Sequence, residues 1–235
     1  MNSDYFQFKK FILRNTESTL KINTDGVLIG AWCNTEGSNT ILDIGTGCGL
    51  IAFMLSQKVP EARIWGIDIE PKCIAEASHN LGLNNFSNIK FSVADIRAYA
   101  TKKDMHFDYV ISNPPFYLEE TSDSNNAKHT KDLSFKELVE AYDRLMHSSS
   151  KGAMILPYQH LALLEDLLKS RHLYLNRLCL VSGKSKLIPN RVMIEFSRSK
   201  AFLETSYLSV RSDNNEYSKE HRMLTKDFYL PKTAT

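Results

Sequence analysis

Asn39-Thr40-Ile41-Leu42-Asp43-Ile44-Gly45-Thr46-Gly47-Cys48-Gly49-Leu50-Ile51-Ala52 reads as a buried strand, a glycine turn and the opening of a helix. Glycines at 45, 47 and 49 permit a sharp turn and let backbone approach a ligand closely. The helix that follows presents free N–H groups at its start. The order is D-x-G-x-G-x-G rather than the phosphate-cradling G-x-G-x-x-G, and no G-K-[ST] follows. An acid ahead of the glycines suits a ligand carrying an ammonium group and repels a pyrophosphate. Asp43, Gly45, Gly47 and Gly49 are therefore candidate contacts for S-adenosylmethionine.

Working outward, Arg63-Ile64-Trp65-Gly66-Ile67-Asp68 is a second apolar run that ends in an acid, 19 positions after Gly49. In a βαβ unit a carboxylate near that distance accepts hydrogen bonds from ribose hydroxyls, which makes Asp68 and the adjoining Ile69 cofactor candidates. Ile89-Lys90-Phe91-Ser92-Val93-Ala94-Asp95-Ile96 ends a third strand, with Asp95 suited to an adenine amino group and Ile96 to the ring face. Taken singly, such acids are as readily helix caps or surface groups. A fourth run, Phe107-Asp108-Tyr109-Val110-Ile111-Ser112, leads into Asn113-Pro114-Pro115-Phe116. The prolines fix φ and lack N–H groups, and Pro114 holds Asn113 extended. The Asn113 side-chain oxygen and the Pro114 carbonyl then converge on one planar amino group, with Phe116 under its ring. Alone, these four residues also suit an ordinary Pro-rich turn at a strand end.

The elements alternate: strand 39–44, helix 49–58, strand 63–68, helix 71–82, strand 88–93, strand 107–112, helix 134–147, strand 151–156, helix 159–171, strands 173–182 and 190–198. This predicts an α/β fold, a doubly wound, mostly parallel seven-stranded sheet with an antiparallel hairpin at one edge. Residues 4–14 predict a short strand or hairpin, and Thr24 is the expected N-cap of a short helix over 27–33. Polar residues 118–131 predict a loop over the site. The candidate groups all fall at strand carboxyl ends, where open α/β sheets bind ligands. One domain is expected over 1–235, with 1–38 an extension that shapes the cleft and 39–235 the core.

Composition is ordinary, 43% hydrophobic and 24% charged with a net charge of +2. Residues 184–235 carry ten Lys and Arg against six Asp and Glu, whereas 31–183 carry fifteen against eighteen. The basic end suits phosphates and equally a solvated face. Cys33, Cys48, Cys73 and Cys179 are scattered without a CxxC pair, which predicts neither a disulfide framework nor a metal site. No signal peptide or membrane-spanning stretch is read, so the expected compartment is the cytoplasm.

With these motifs in place the chain resembles the class I S-adenosylmethionine-dependent methyltransferases that carry N-P-P-[FY], with their Rossmann-like core. Phe8-Lys9-Lys10-Phe11, Lys21-Ile22-Asn23-Thr24-Asp25-Gly26-Val27-Leu28-Ile29-Gly30-Ala31-Trp32, Ala127-Lys128-His129-Thr130, Asn190–Arg198 and Leu224-Thr225-Lys226-Asp227-Phe228-Tyr229-Leu230 resemble, more narrowly, the bacterial tRNA1(Val) adenine-37 N6-methyltransferases. Residues 15–20 depart from that pattern. The resemblance implies N6-methylation of adenine 37 in the anticodon loop, with the base unstacked beside Phe116. It implies catalytic roles for Asn113, Pro114 and Phe116, with Asn113 also reaching the cofactor. Pro115, Tyr117, Lys128, His129 and Arg191 become candidate substrate contacts, with Lys184 and Lys186 as further phosphate contacts. The core motifs alone leave two alternatives: guanine-N2 of ribosomal RNA, or a glutamine of a release factor. The latter usually shows Tyr where Phe116 stands and has a larger N-terminal domain.

Overall fold

The computed structural model describes residues 4–17, 21–102, 105–114, 133–185 and 187–231. Two short strands open it, β1 (Tyr5–Gln7) and β2 (Ile12–Arg14), paired antiparallel as a separate sheet. After α1 (Thr24–Trp32), the expected alternation follows as β3 (Thr40–Ile44), α2 (Leu50–Lys58), β4 (Arg63–Asp68), α3 (Pro71–Leu83), β5 (Ile89–Val93), α4 (Ile96–Tyr99) and β6 (Phe107–Ser112). Beyond the undescribed 115–132 come α5 (Phe135–Leu145), β7 (Met146–Pro157), a 3-10 turn (Tyr158–His160) and α6 (Leu161–Ser170). The chain then adds β8 (Tyr174–Lys184), β9 (Arg191–Ser197), β10 (Glu204–Arg211) and α7 (Lys219–Thr225). The predicted loop over 118–131 lies outside the described residues.

The main sheet runs β10-β8-β9-β7-β6-β3-β4-β5. Only β9 is antiparallel to its neighbours. The α/β, mostly parallel reading therefore stands, with two corrections. Among the described residues the sheet has eight strands, not seven, and the β8–β9 hairpin is not its edge, because β10 pairs parallel to β8 outside it. In β10 only Leu208 is buried, so its apolar signal is too thin to read from sequence. A third correction is local: the cap of α1 is Asn23, whose Oδ1 accepts from the Gly26 N–H at 2.9 Å, rather than Thr24.

Both faces of the sheet are covered. Successive residues of a strand point to opposite faces, and β6 sends Tyr109 and Ile111 into a core with α1 and α2 (Leu28, Phe53, Met54). Val110 goes into a second core with α5 and α6 (Leu138, Tyr142, Leu164). A two-stranded hairpin is marginal alone, and β1–β2 is held from outside. Phe8 and Phe11 are buried and stacked, ring centroids 4.6 Å apart.

Glu76 and Asn80, one turn apart on α3, and Asn84, its C-cap, bind the passing backbone of 12–17. Asn84 accepts from Ile12 N–H at 3.0 Å and donates to Ile12 O at 2.8 Å. Asn80 accepts from Arg14 N–H at 2.7 Å and donates to Arg14 O at 3.1 Å. Glu76 accepts from the Thr16 and Glu17 N–H groups at 2.6 and 3.0 Å. Three side chains thus stand in for a missing strand and steer residues 21–23 toward the sheet's carboxyl edge. The C-terminal segment closes over the same region: Lys9 N–H donates to Phe228 O at 2.8 Å, and Tyr229 stacks on Phe8 at 5.9 Å.

Candidate active site

At the carboxyl edge the glycine turn is pinned to the neighbouring strand. Gly45 and Thr46 N–H both donate to Ile67 O, at 2.9 and 3.0 Å. Gly45, Gly47 and Gly49 have φ of +70°, +56° and +90°, the left-handed region that glycine enters without strain. The first and last differ in surroundings. A Cβ on Gly45 would meet nothing within 4 Å and would project into the open cleft, whereas one on Gly49 would strike Phe91 at 2.8 Å.

Asp43 lies fully buried under this turn. Its Oδ2 accepts from the Thr46 hydroxyl at 2.6 Å, and its Oδ1 has no hydrogen-bond partner among the described residues. Burial pushes the carboxyl up to about 7, against the lowering effect of Thr46 and the Ala52 amide. Asp68 braces the turn, with Oδ2 accepting from Gly47 N–H at 3.0 Å and Oδ1 from Glu70 N–H at 2.9 Å. Desolvation raises its pKa as well. A carboxylate accepts about four hydrogen bonds, so these two bonds leave acceptor capacity. Ile69 beside it is exposed.

Asp95 is bound differently from the expectation. It caps α4, accepting from Arg97 N–H at 2.9 Å, and its Oδ2 pairs with the Arg97 guanidinium at 2.7 Å, which lowers its pKa. Ile96 is buried in the second core.

Asn113 follows β6, only 8% exposed. Its Nδ2 reaches Asn23 Oδ1 at 3.5 Å, and its Oδ1 is buried with no partner among the described residues. Buried side-chain acceptors are nearly always satisfied, so an orphan oxygen on a cleft wall marks a place for an N–H donor. Pro114 is buried next to it. Pro115, Phe116, Tyr117, Lys128 and His129 lie outside the described residues. Arg191 sits at the same edge and donates from Nε to Asp25 Oδ2 at 2.9 Å.

The cleft is walled by Gly45–Cys48, Leu50, Ile51 and Asn113 on one side, and by Lys21, Ile22, Asn23 and Gly26 on the other. The second wall belongs to the extension expected to shape the cleft, although none of its four residues was singled out as a site residue. Asn23 caps α1, donates from Nδ2 to Lys21 O at 3.0 Å and touches Asn113. Its only sequence signal is an N-cap residue close ahead of a glycine. Gly26 must stay small, since a Cβ there would lie 2.9 Å from Leu50. An unpartnered Asp43 oxygen, an open Gly45 and the Asp68 carboxylate fit the ammonium and ribose of S-adenosylmethionine. Among the described residues no group of three or more His, Cys, Asp or Glu is placed to hold a metal, and no helix is long and apolar enough to cross a membrane.

Residues 26–145 match the family model described as methyltransferase small domain. A protein of Pseudoalteromonas translucida named tRNA1(Val) (adenine(37)-N6)-methyltransferase is 33% identical over 96% of this chain and 98% of its own length. Proteins with the same name from Histophilus somni and Bacteroides fragilis are 34% and 33% identical, over 96% and 98% of this chain and 97% and 99% of theirs. Among solved structures, a predicted O-methyltransferase from Agrobacterium tumefaciens superposes with a TM-score of 0.67 at 16% identity, covering 87% of this chain and 96% of that one. A ribosomal protein L11 methylase from Lactobacillus delbrueckii gives 0.56 at 18% identity, covering 74% and 77%. These two share the fold.

Proposed function

This chain belongs to the tRNA1(Val) (adenine(37)-N6)-methyltransferase family, and from that premise we propose how its residues divide the work. The activity is S-adenosylmethionine-dependent methylation of the adenine 37 amino group in tRNA1(Val). S-adenosylmethionine supplies an electrophilic methyl group on a sulfonium.

The protein's task is to make a poor nucleophile available. An adenine amino nitrogen is conjugated with its ring and carries two hydrogens. Asn113 Oδ1 and the Pro114 carbonyl each accept one of them, which favours a pyramidal nitrogen with its lone pair released from the ring. As methyl transfer proceeds, positive charge grows on that nitrogen, and both oxygens are aimed at it. Neither oxygen is a strong base, so the surplus proton leaves to water. Phe116 stacks under the base, a contact worth about 1–3 kcal/mol. The observation that carries this reading is the buried, unpartnered Asn113 Oδ1 at the cleft.

On the other side, Asp43 Oδ1 receives the ammonium, Gly45 lets backbone approach the amino-acid part, and Asp68 with Ile69 holds the ribose. Asp95 offers the adenine amino group whatever acceptor capacity its pairing with Arg97 leaves. Residues 1–38 act as an extension of the core at 39–235, a division supported by Asn23 touching Asn113. The anticodon loop is the part of the tRNA engaged, and the cytoplasm the place of action.

The test is transfer of labelled methyl into unmodified tRNA, with ribosomal RNA and a release factor in parallel, followed by nucleoside mapping. N6-methyladenosine at position 37 supports the reading; label in ribosomal RNA or protein overturns it.

A further inference from the structure

The turn that joins β8 to β9 lies on the active-site edge. β8 and β7 are both antiparallel to β9, so they run in the same sense, and β7 is parallel to β6, whose carboxyl end bears Asn113. The turn carries Leu187 at 58% and Ile188 at 84% exposure, and Tyr158, after β7, stands 41% exposed next to it. Tyr158 N–H donates to Asn190 O at 3.1 Å. Single exposed apolar residues are ordinary, but adjacent ones rimmed by charge mark an interaction surface.

Hydrogen bonds tie residues on either side of Lys186 to the body of the sheet. Asn190 N–H donates to Val181 O at 3.0 Å, Leu187 N–H to Lys184 O at 3.3 Å, and Ser185 N–H to Arg211 O at 3.0 Å. Pro189 confines Ile188 to extended backbone. From Lys184 to Arg191 the sequence has no acid, and Lys184 is exposed at the root, facing Arg211 across the β8–β10 ladder. Contacts run unbroken back to the site: Arg191 to Asp25 at 2.9 Å, and Asn23, two residues earlier, to Asn113 at 3.5 Å.

We propose that this turn, with Tyr158, is the docking platform for the RNA around the target base. Leu187, Ile188 and Tyr158 meet unstacked base faces, and Lys184 meets phosphate. Single-stranded RNA loops offer flat apolar faces and a charged backbone together, which is the combination this turn displays. A preorganised turn loses little entropy on binding. The proposal rests on the tRNA reading above.

The experiment measures KM for an unmodified tRNA1(Val) transcript, kcat at saturating tRNA, S-adenosylmethionine affinity and melting temperature. Ile188→Asp is expected to raise KM at least tenfold, and the uncharged Ile188→Ser several-fold, with kcat within twofold and cofactor affinity and melting unchanged. Lys184→Ala should raise KM and make the dependence of log affinity on log salt shallower by about 0.7–0.9, one phosphate's share. Phe202→Asp, 93% exposed at the opposite edge of the sheet, is the control and should leave KM unchanged. KM within twofold of wild type for Ile188→Ser and Ile188→Asp, or an equal rise for Phe202→Asp, overturns the platform while leaving the enzymatic reading intact. Wild-type protein that transfers no methyl to the transcript overturns that reading and the platform with it.

Discussion

Replacing Asn113 with alanine separates a catalytic from a structural asparagine, because the structure sets opposite signs for the two. Loss of one acceptor aimed at developing charge costs about 3–4 kcal/mol by analogy with oxyanion donors, or roughly a 150- to 900-fold fall in turnover. Folding stability follows another course. A buried polar atom without a partner costs about 1–3 kcal/mol, and Asn113 Oδ1 is such an atom. Its removal relieves that cost, while the 3.5 Å contact from Nδ2 to Asn23 is long and contributes under about 1 kcal/mol. The variant should therefore melt at the wild-type temperature or a few degrees above it and bind S-adenosylmethionine normally. The assay is single-turnover methyl transfer at saturating tRNA and cofactor, beside a thermal melt and calorimetric cofactor binding. More than a tenth of wild-type turnover would refute the catalytic role. Loss of turnover together with a drop of several degrees in melting would show the residue to be structural.

Asp43 predicts a pH dependence. Its carboxyl, raised to about 7 by burial, must ionise to meet an ammonium, so cofactor affinity should fall as pH drops below 7, and Asp43→Asn should flatten the profile in a binding titration. The same raised value means its contribution to stability is full below about 4 and lost as pH rises through 7. His221 has the opposite sign: buried, stacked 4.4 Å from Tyr217 and with neither ring nitrogen hydrogen-bonded among the described residues, it is lowered to about 4 by burial and by Arg211 and Arg222. Its stabilising share is full above about 6.5 and lost as pH falls through 4, so His221→Phe should reduce the acid shift of the urea midpoint; an unchanged shift would sink the assignment. Finally, Gly49→Ala should destabilise the fold by more than about 1 kcal/mol through Phe91 and Phe53. Gly45→Ala, with its Cβ in the cleft, should weaken cofactor binding more than it lowers melting, and equal melting losses would contradict the distinction.

Strand ends that carry acids or glycines are legible because period and punctuation coincide there: β3, β4, β5 and β6 all emerge within a residue or two of their predicted limits. The positions of Asp43 under the glycine turn and of Asn113 at a strand end could be read because their neighbours, glycines and prolines, restrict the backbone strongly. What escaped reading depends on partners distant in sequence. β10 has almost no buried apolar residue of its own and exists by pairing with β8. Asn23, passed over as a cap in favour of Thr24, becomes a cleft wall because Glu76, Asn80 and Asn84 hold the segment that precedes it. Asp95 reads as a ligand contact, and its additional pairing with Arg97, two residues on, is something sequence spacing does not announce.

The wall formed by Lys21, Ile22 and Asn23 rests on contacts between segments far apart in sequence. The segment before it is fastened to Asn84 and Glu76, 72 and 60 positions later, and Lys9 at its root is fastened to Lys226 and Phe228, from Nζ at 2.6 Å and N–H at 2.8 Å. The Lys9–Lys226 bond spans 217 positions, and a contact of that separation must meet its loop-closure entropy before it stabilises anything. On refolding, the parallel strands can pair while the cleft is unfinished, and cofactor binding should recover later than the strand signal.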